Sequence, residues 1–492
     1  MRRDRRHPLT GTRTNRLKVL LVAVVLLGAL GIRLGYIAAE RYHAINDAGT
    51  YNRMASMIAN HGDYHTGDGP RSGAGGSRGP TAYFPPAFPY LLAVADLIDG
   101  HEAGGKTAVP PERIEMAVVG TISVAFVGLV ALEAFGEGVA WAALVLAAFY
   151  PVMIELSGTL VAENLVVVLE LAAAWAALRA RRARQAGRGP YPWIAATGVL
   201  TGLAALTHEN AILYLIPFAI AAWGIARARP AGTDGGVTQS RGRGRLAGVG
   251  AVVLLVVCTC LTIAPWTIRN AVELHSFVPI ADETGITLAG TYNPTSANDP
   301  LVPYKWHLFS HVPSLRHFAR ESNHDTEVQL SDKLQTAAFD YIKAHPLAPI
   351  QAGLDNTLRM FEIEGTYAWH ASARAIGLKT TVAGEAIVGF WIVCLVAIAG
   401  AFTRRVRRAP WWLWLMPVLW WLSIVPVNVE TPRFREPIDP FLILLAACAI
   451  ATAVARLAGR SGLGGAPVRR RRGTTELAGD DAQLVQMVQR LA

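Results

Sequence analysis

The chain has 492 residues, of which 52% are hydrophobic and 17% charged, with a formal net charge of +10. Its apolar residues fall in long unbroken runs, the mark of a polytopic membrane protein, since about 20 apolar residues span a bilayer as a helix. That pattern excludes a soluble globular fold, and basic residues confined to short links between runs exclude a nucleic-acid-binding face.

Residues 1–16 form a basic N-terminus that precedes the first run, Leu17 to Ala39. That run is long and lacks a small-x-small cleavage site before Arg41, so it reads as an uncleaved helix with its N-terminus in the cytoplasm. Further runs at about 114–135, 138–156, 160–179, 192–208, 211–226, 247–265, 384–402, 411–428 and 437–457 give about ten transmembrane helices. The fold class is therefore an all-α polytopic bundle.

A shorter run, Phe84 to Ile98, sets the parity of everything after it. If it crossed the membrane, the basic links at 179–188 and 241–245 would face outward, against the positive-inside rule. Lying in the interface or re-entrant, it leaves every basic link inside: 178–188, 225–246, 404–408 and 469–472. The expected organisation is a transmembrane module over 17–265 with a first external loop at 40–113. An external segment at 266–383 packs on the membrane domain, C-terminal helices follow over 384–457, and a cytoplasmic basic tail with one short amphipathic helix occupies 458–492. Five external segments result: 40–113, 157–163, 207–210, 266–383 and 429–436. The four cysteines, Cys258, Cys260, Cys394 and Cys448, all lie within apolar runs and suggest neither a disulfide nor a structural metal.

Ionisable residues at the outer ends of these runs are the candidates for chemistry. Asp47 follows the first helix by a few residues; it can serve as a general base or cation ligand, or it can cap the helix that follows. Glu163 opens a long apolar helix, where a first-turn carboxylate is also favoured by the helix dipole, and Glu170 lies two turns further in. His208 and Glu209 interrupt two apolar runs. Arg269, Arg433 and Arg435 have the planar fork that suits a phosphate, unless Glu430, Glu436 or Asp439 claims them. Walker, dinucleotide and zincin motifs are absent, so soluble nucleotide-driven chemistry is not expected, and a membrane-borne donor fits.

The order of several motifs resembles the GT-C-type, polyprenyl-phosphate-sugar-dependent glycosyltransferases, which include protein O-mannosyltransferases and the aminoarabinose transferase of lipid A. These are D-x-x-x-Y-x-x-x-A at Asp47, Tyr51 and Ala55, Y-F-P-P-A-F-P-Y-L-L-A from Tyr83, S-G-T-L-V-A-E-N at 157–164 and L-T-H-E-N-A at 206–211. A-P-W-T-I-R-N at 264–270, F-V-P-I at 277–280, A-H-P at 344–346 and R-F-R-E-P-I-D-P-F at 433–441 complete the series.

The resemblance implies an inverting transferase of the plasma (inner) membrane with its site on the external face. Asp47 would take the proton of the acceptor hydroxyl. Tyr51, Tyr83, Glu163, His208 and Glu209 would line the substrate site, and Arg269, Arg433 and Arg435 would hold the departing phosphate. The implied partners are a polyprenyl-phosphate sugar donor, a glycan, lipid or protein acceptor and membrane lipid, with no nucleic acid. Some relatives use a divalent cation, Mg or Mn, near the loop acid. Many carry a second acid directly after the first, where this chain has Ala48, so a two-carboxylate metal site is weakened; Asp63, His65 and Asp68 could substitute as ligands, but their glycine-rich stretch reads rather as a mobile loop. A transporter or flippase of lipid-linked sugars would share the arginines and helices, but the chain shows no repeated halves. Reporter fusions test the parity: an external signal at residue 105 and a cytoplasmic one at 185 are expected, and a cytoplasmic signal at 105 overturns the topology.

Overall fold

The computed structural model describes residues 9–65, 79–99, 109–228, 241–321 and 325–460. The C-terminal tail from 461 and the Gly/Ser-rich stretch 66–78, with Asp68, lie outside the described residues. Among those described, all regular structure is helical. The first half runs α1 Leu9–Ala39, α2 Asn46–His61, α3 Ala87–Asp99, α4 Val109–Phe135, α5 Glu137–Phe149, α6 Pro151–Leu156, α7 Glu163–Gln185, α8 Tyr191–Ala205, a 3-10 turn Glu209–Tyr214, α9 Leu215–Arg227 and α10 Arg241–Glu273. The next stretch is α11 Thr284–Thr291, α12 Pro294–Ala297, α13 Arg316–Glu321, α14 Glu327–Ala344, α15 Ala348–Met360 and α16 Thr366–Ala375. The chain returns through α17 Thr380–Ala401, α18 Arg404–Arg408, α19 Trp412–Ile424, a 3-10 turn Arg433–Arg435 and α20 Asp439–Arg460.

Each of the ten apolar runs falls on helix, and six helices are long and apolar enough to cross a membrane: Arg16–Ala39, Pro111–Phe135, Glu209–Arg227, Gly244–Glu273, Thr380–Ala401 and Asp439–Ala458. The other four differ for local reasons. The run at 138–156 breaks before Pro151, which opens α6, while α7 carries Glu163, Glu170 and Arg179 within its apolar length. Helices α8 and α19 have 15 and 13 residues. Helix α3 also has 13, a rise of roughly 20 Å against a hydrocarbon core of about 30 Å.

The membrane helices pack α8 against α7 and α10, α17 against α20, and α4 against α5 and α7 around one large apolar core. Their outer faces expose Leu20, Val24 and Leu27 on α1, Val253, Val257 and Leu261 on α10, and Ile392, Leu395 and Ile398 on α17, as a lipid-facing surface requires. Arg33, in the last two turns of α1, is buried instead. Its guanidinium donates through Nε to Ser157 Oγ at 3.0 Å and through Nη1 to the carbonyls of Ala29 and Ala148, partners that lipid could not offer. The chain is a multi-pass membrane protein.

Two smaller clusters sit at one end of the bundle. One joins α2, α3 and the start of α4 through Tyr51, Met54, Phe84, Phe88, Leu92 and Met116. Helix α2 stops at Gly62, whose left-handed backbone lets its N–H reach the Ile58 carbonyl. The other cluster gathers Ile286, Phe309, Leu330, Leu334 and Ala352 into a cap with its own apolar centre. A capping box between Thr326 and Gln329 starts α14. The cap joins the bundle where Thr291, Tyr292 and Asn356 donate to the carbonyls of Val427, Pro426 and Val425.

Close packing between α17 and α20 depends on Gly400, since a Cβ there would collide with the Leu445 carbonyl. Gly400→Ala is expected to destabilise the bundle by about 1–3 kcal/mol, read as a lower unfolding temperature in detergent.

Candidate active site

A cavity of about 640 Å³ opens between the cap and the end of the bundle. It is lined from 46–53, 83–85, 207–210, 283–288, 305–311 and 423–434, together with Ala375. Four of the five segments expected on one face line it, and the fifth, 157–163, supplies Glu163 just behind.

Asp47 stands in the first turn of α2. Asn46 begins that helix with a positive φ of 50°, which asparagine tolerates, and its amide donates to the Ala375 carbonyl at 2.7 Å. The helix has no side-chain cap, so Asp47 does not serve in that role. Its Oδ2 instead accepts from Arg433 Nη1 at 2.7 Å, with the Asp47 side chain 40% exposed.

Arg433 comes from the 3-10 turn between α19 and α20, and its side chain is only 6% exposed. Its Nε donates to Glu163 Oε1 at 2.8 Å, and Glu163 is fully buried at the first position of α7. Glu430 approaches the same guanidinium at 3.9 Å. One buried cation thus binds carboxylates from three separate parts of the chain.

His208 Nε2 lies 3.9 Å from Glu163 Oε1, and its ring packs on Trp420 and Phe434. Glu209 lines the cavity and accepts from Thr284 Oγ1 of the cap at 3.5 Å. Tyr51 and Tyr83 line the same wall, Tyr51 held by Phe84 and Phe88 at centroid distances of 4.5 and 5.0 Å.

Two expected site residues lie elsewhere. Arg269 donates to the carbonyls of Thr81 and Tyr64 at 2.7 and 3.1 Å and stacks over the Trp266 ring, so it ties down the two ends of the loop that brackets 66–78. Arg435 is buried against Phe390, with its guanidinium on Glu362 at 2.9 Å, the Met360 carbonyl at 3.0 Å and Asp439 at 3.3 Å. Neither lines the cavity: main-chain carbonyls hold Arg269, and Glu362, Asp439 and the Met360 carbonyl surround Arg435.

The sequence reading missed Arg53, Glu283 and Lys305, all on the cavity wall, along with His307 and His311. Arg53 is held by Thr50 Oγ1 at 2.9 Å. Burial, with Glu209 and Asp47 as neighbours, pushes the Glu283 carboxyl well above the usual carboxylate range. Burial also raises Glu430, against the opposing pull of Arg433. Glu430 had been seen only as a partner for the arginines.

Among the described residues no group of three or more His, Cys, Asp or Glu side chains could hold a metal ion. The acids that would have to supply a divalent site, Asp47 and Glu163, already share the Arg433 guanidinium. The residues present therefore do not fit a cation between them.

Residues 84–233 match the dolichyl-phosphate-mannose-protein mannosyltransferase family. No curated protein sequence matches the chain. The apo oligosaccharyltransferase of Archaeoglobus fulgidus superposes with a TM-score of 0.50 at 14% identity, over 96% of this chain and 54% of that one. The Archaeoglobus fulgidus oligosaccharyltransferase AglB, in complex with an inhibitory peptide and a dolichol-phosphate, gives 0.49 at 13% identity, over 95% and 54%. ArnT from Cupriavidus metallidurans bound to undecaprenyl phosphate gives 0.38 at 12% identity, over 91% and 79%. These proteins and the matched family are glycosyltransferases of the GT-C type. The structural likeness is one of fold, and the chain spans about half the length of the archaeal enzyme.

Removing the buried cation alone strands Glu163. Arg433→Met is expected to cost about 3–5 kcal/mol of stability, and adding Glu163→Gln to it should recover part of that loss, measured as unfolding temperatures in a double-mutant cycle.

Proposed function

We propose that the protein transfers a sugar from a polyprenyl-phosphate donor to an acceptor hydroxyl in the cavity between cap and bundle. The observation that carries this is the Asp47–Arg433–Glu163 bridge on a cavity large enough for a sugar and its phosphate. It is supported by the match of 84–233 to a family whose name specifies a dolichyl-phosphate-mannose donor.

In this reading Asp47 is the general base. The acceptor hydroxyl gives its proton to the Asp47 carboxylate as its oxygen forms a bond to the anomeric carbon. The bond from that carbon to the phosphate oxygen breaks on the opposite face, so the configuration inverts and the electron pair leaves with the phosphate. Arg53, Lys305 and Arg433 supply positive charge to the same space, where charge builds on the leaving group. Glu163 holds Arg433 in place, which in turn orients Asp47. Tyr51, Tyr83, His208 and Glu209 shape the substrate space, and no step passes through a metal.

The reading also assigns sides. The segments 40–113 and 266–383 face outside the plasma membrane, and the tail 458–492 faces the cytoplasm. The pairs Lys18–Glu137 and Arg179–Glu133 support this, since they gather basic residues at the opposite ends of α1 and α7 from Asp47 and Glu163.

The test is purified protein in lipid with a labelled polyprenyl-phosphate mannose and a hydroxyl acceptor. Asp47→Asn should slow donor consumption roughly 100- to 10,000-fold, the range for losing a general base. Full activity in that variant removes Asp47 from the role, and translocation of the donor without cleavage would favour a flippase.

A further inference from the structure

Helix α15 has one covered face and one exposed apolar face. Ala348, Ala352, Asn356, Arg359 and Met360 are buried against the cap and bundle. On the other side Leu347, Ile350, Leu354, Leu358 and Phe361, from N-cap to C-cap, are 38 to 63% exposed. At 3.6 residues per turn these five fall within an arc of about 80°, a continuous uncharged stripe along the helix. The neighbouring α14 is built differently, for its outward face carries Asp332, Thr336, Asp340 and Lys343 around a single exposed apolar residue, Phe339.

The stripe adjoins the lipid-facing surface at its C-terminal end. Trp391 on the membrane-spanning α17 donates its indole N–H to the Phe361 carbonyl at 3.0 Å. Around that bond the exposed apolar surface continues through Ile363 and Tyr367 to Val388, Ile392 and Leu395. We propose that α15 lies in the headgroup–acyl boundary of the bilayer, with its Leu/Ile/Phe stripe among phospholipid chains. A helix with a wide apolar face and no charge on it is seated there by the same burial that drives any interfacial amphipathic helix.

The opposite face gives this seating a consequence for the cavity. Asn356 donates to the Val425 carbonyl at 2.8 Å, beside cavity-lining Ile424 and Val427, and Arg359 donates to the Pro303 carbonyl at 2.8 Å. The depth of α15 in the bilayer therefore sets the depth of both the cap and the chain that leads to Arg433.

The test uses the full chain in vesicles of phosphatidylcholine and phosphatidylglycerol. The photoreactive residue p-benzoylphenylalanine is placed at position 354, at 340 as a water-facing reference, or at 395 as a bilayer reference. After irradiation, intact-mass measurement should show a gain of one phospholipid at 354 and 395 and none at 340. Capture of a second copy of this chain at 354, no lipid adduct there while 395 captures lipid, or equal capture at 354 and 340 would each overturn the proposal.

Discussion

One guanidinium holds the functional end of this molecule together. Arg433 reaches residues 386 and 270 positions away in sequence, Asp47 and Glu163, and does so almost wholly out of water. A charge in that setting is tolerable only when its partners are in place, because removing either side leaves an uncompensated ion in a low dielectric. The bridge thus couples the first turn of α2, the start of α7 and the turn before α20. Asp47 is the one member left 40% exposed, so the same contact that fixes its position leaves its carboxylate open to the cavity.

The cavity around it is unusually rich in acids. Asp47, Glu209, Glu283 and Glu430 line it, with Glu163 behind, against the permanent cations Arg53, Lys305 and Arg433. Like charges so placed cannot all ionise at once, which is why Glu283 is pushed up by burial and by its neighbours Glu209 and Asp47. An anionic group in the cavity would meet a balanced field only near the cations. Arg53 packs with the bundle end and Lys305 belongs to the cap, so the cavity's electrostatics depend on how cap and bundle are joined.

Much of this was legible in the sequence because lipid makes ionisable residues conspicuous. Asp47, Glu163, His208, Glu209 and Arg433 stand out at the edges of apolar runs, and a single parity argument placed their segments on one side. Arg269 and Arg435 stood out by the same rule yet lie outside the cavity. What claims a guanidinium is decided by three-dimensional neighbours, here the main-chain carbonyls of Tyr64 and Thr81 in one case and Glu362 with Asp439 in the other. Glu283 and Lys305 escaped notice for the opposite reason. They sit in a polar segment where one more charge carries no signal, and only the folding of the cap brings them to the wall.

The matched stretch, 84–233, contributes Glu163, His208 and Glu209, whereas Asp47 and Arg433 lie on either side of it and Glu283 and Lys305 belong to the cap. The bundle is therefore a frame, built by long helices whose apolar faces tolerate much exchange of side chain at constant packing. The cap has a core of its own at Ile286, Leu330 and Leu334, distinct from the large core of the membrane helices. Its attachment is spread over several polar contacts, among them the hydrogen bonds to 425–427, Thr284 on Glu209, Arg435 on Glu362, Asn46 on the Ala375 carbonyl and Trp391 on the Phe361 carbonyl, which hold only if cap and bundle meet at one height. A cavity formed at such a seam keeps its chemistry in the frame and its shape in the joint.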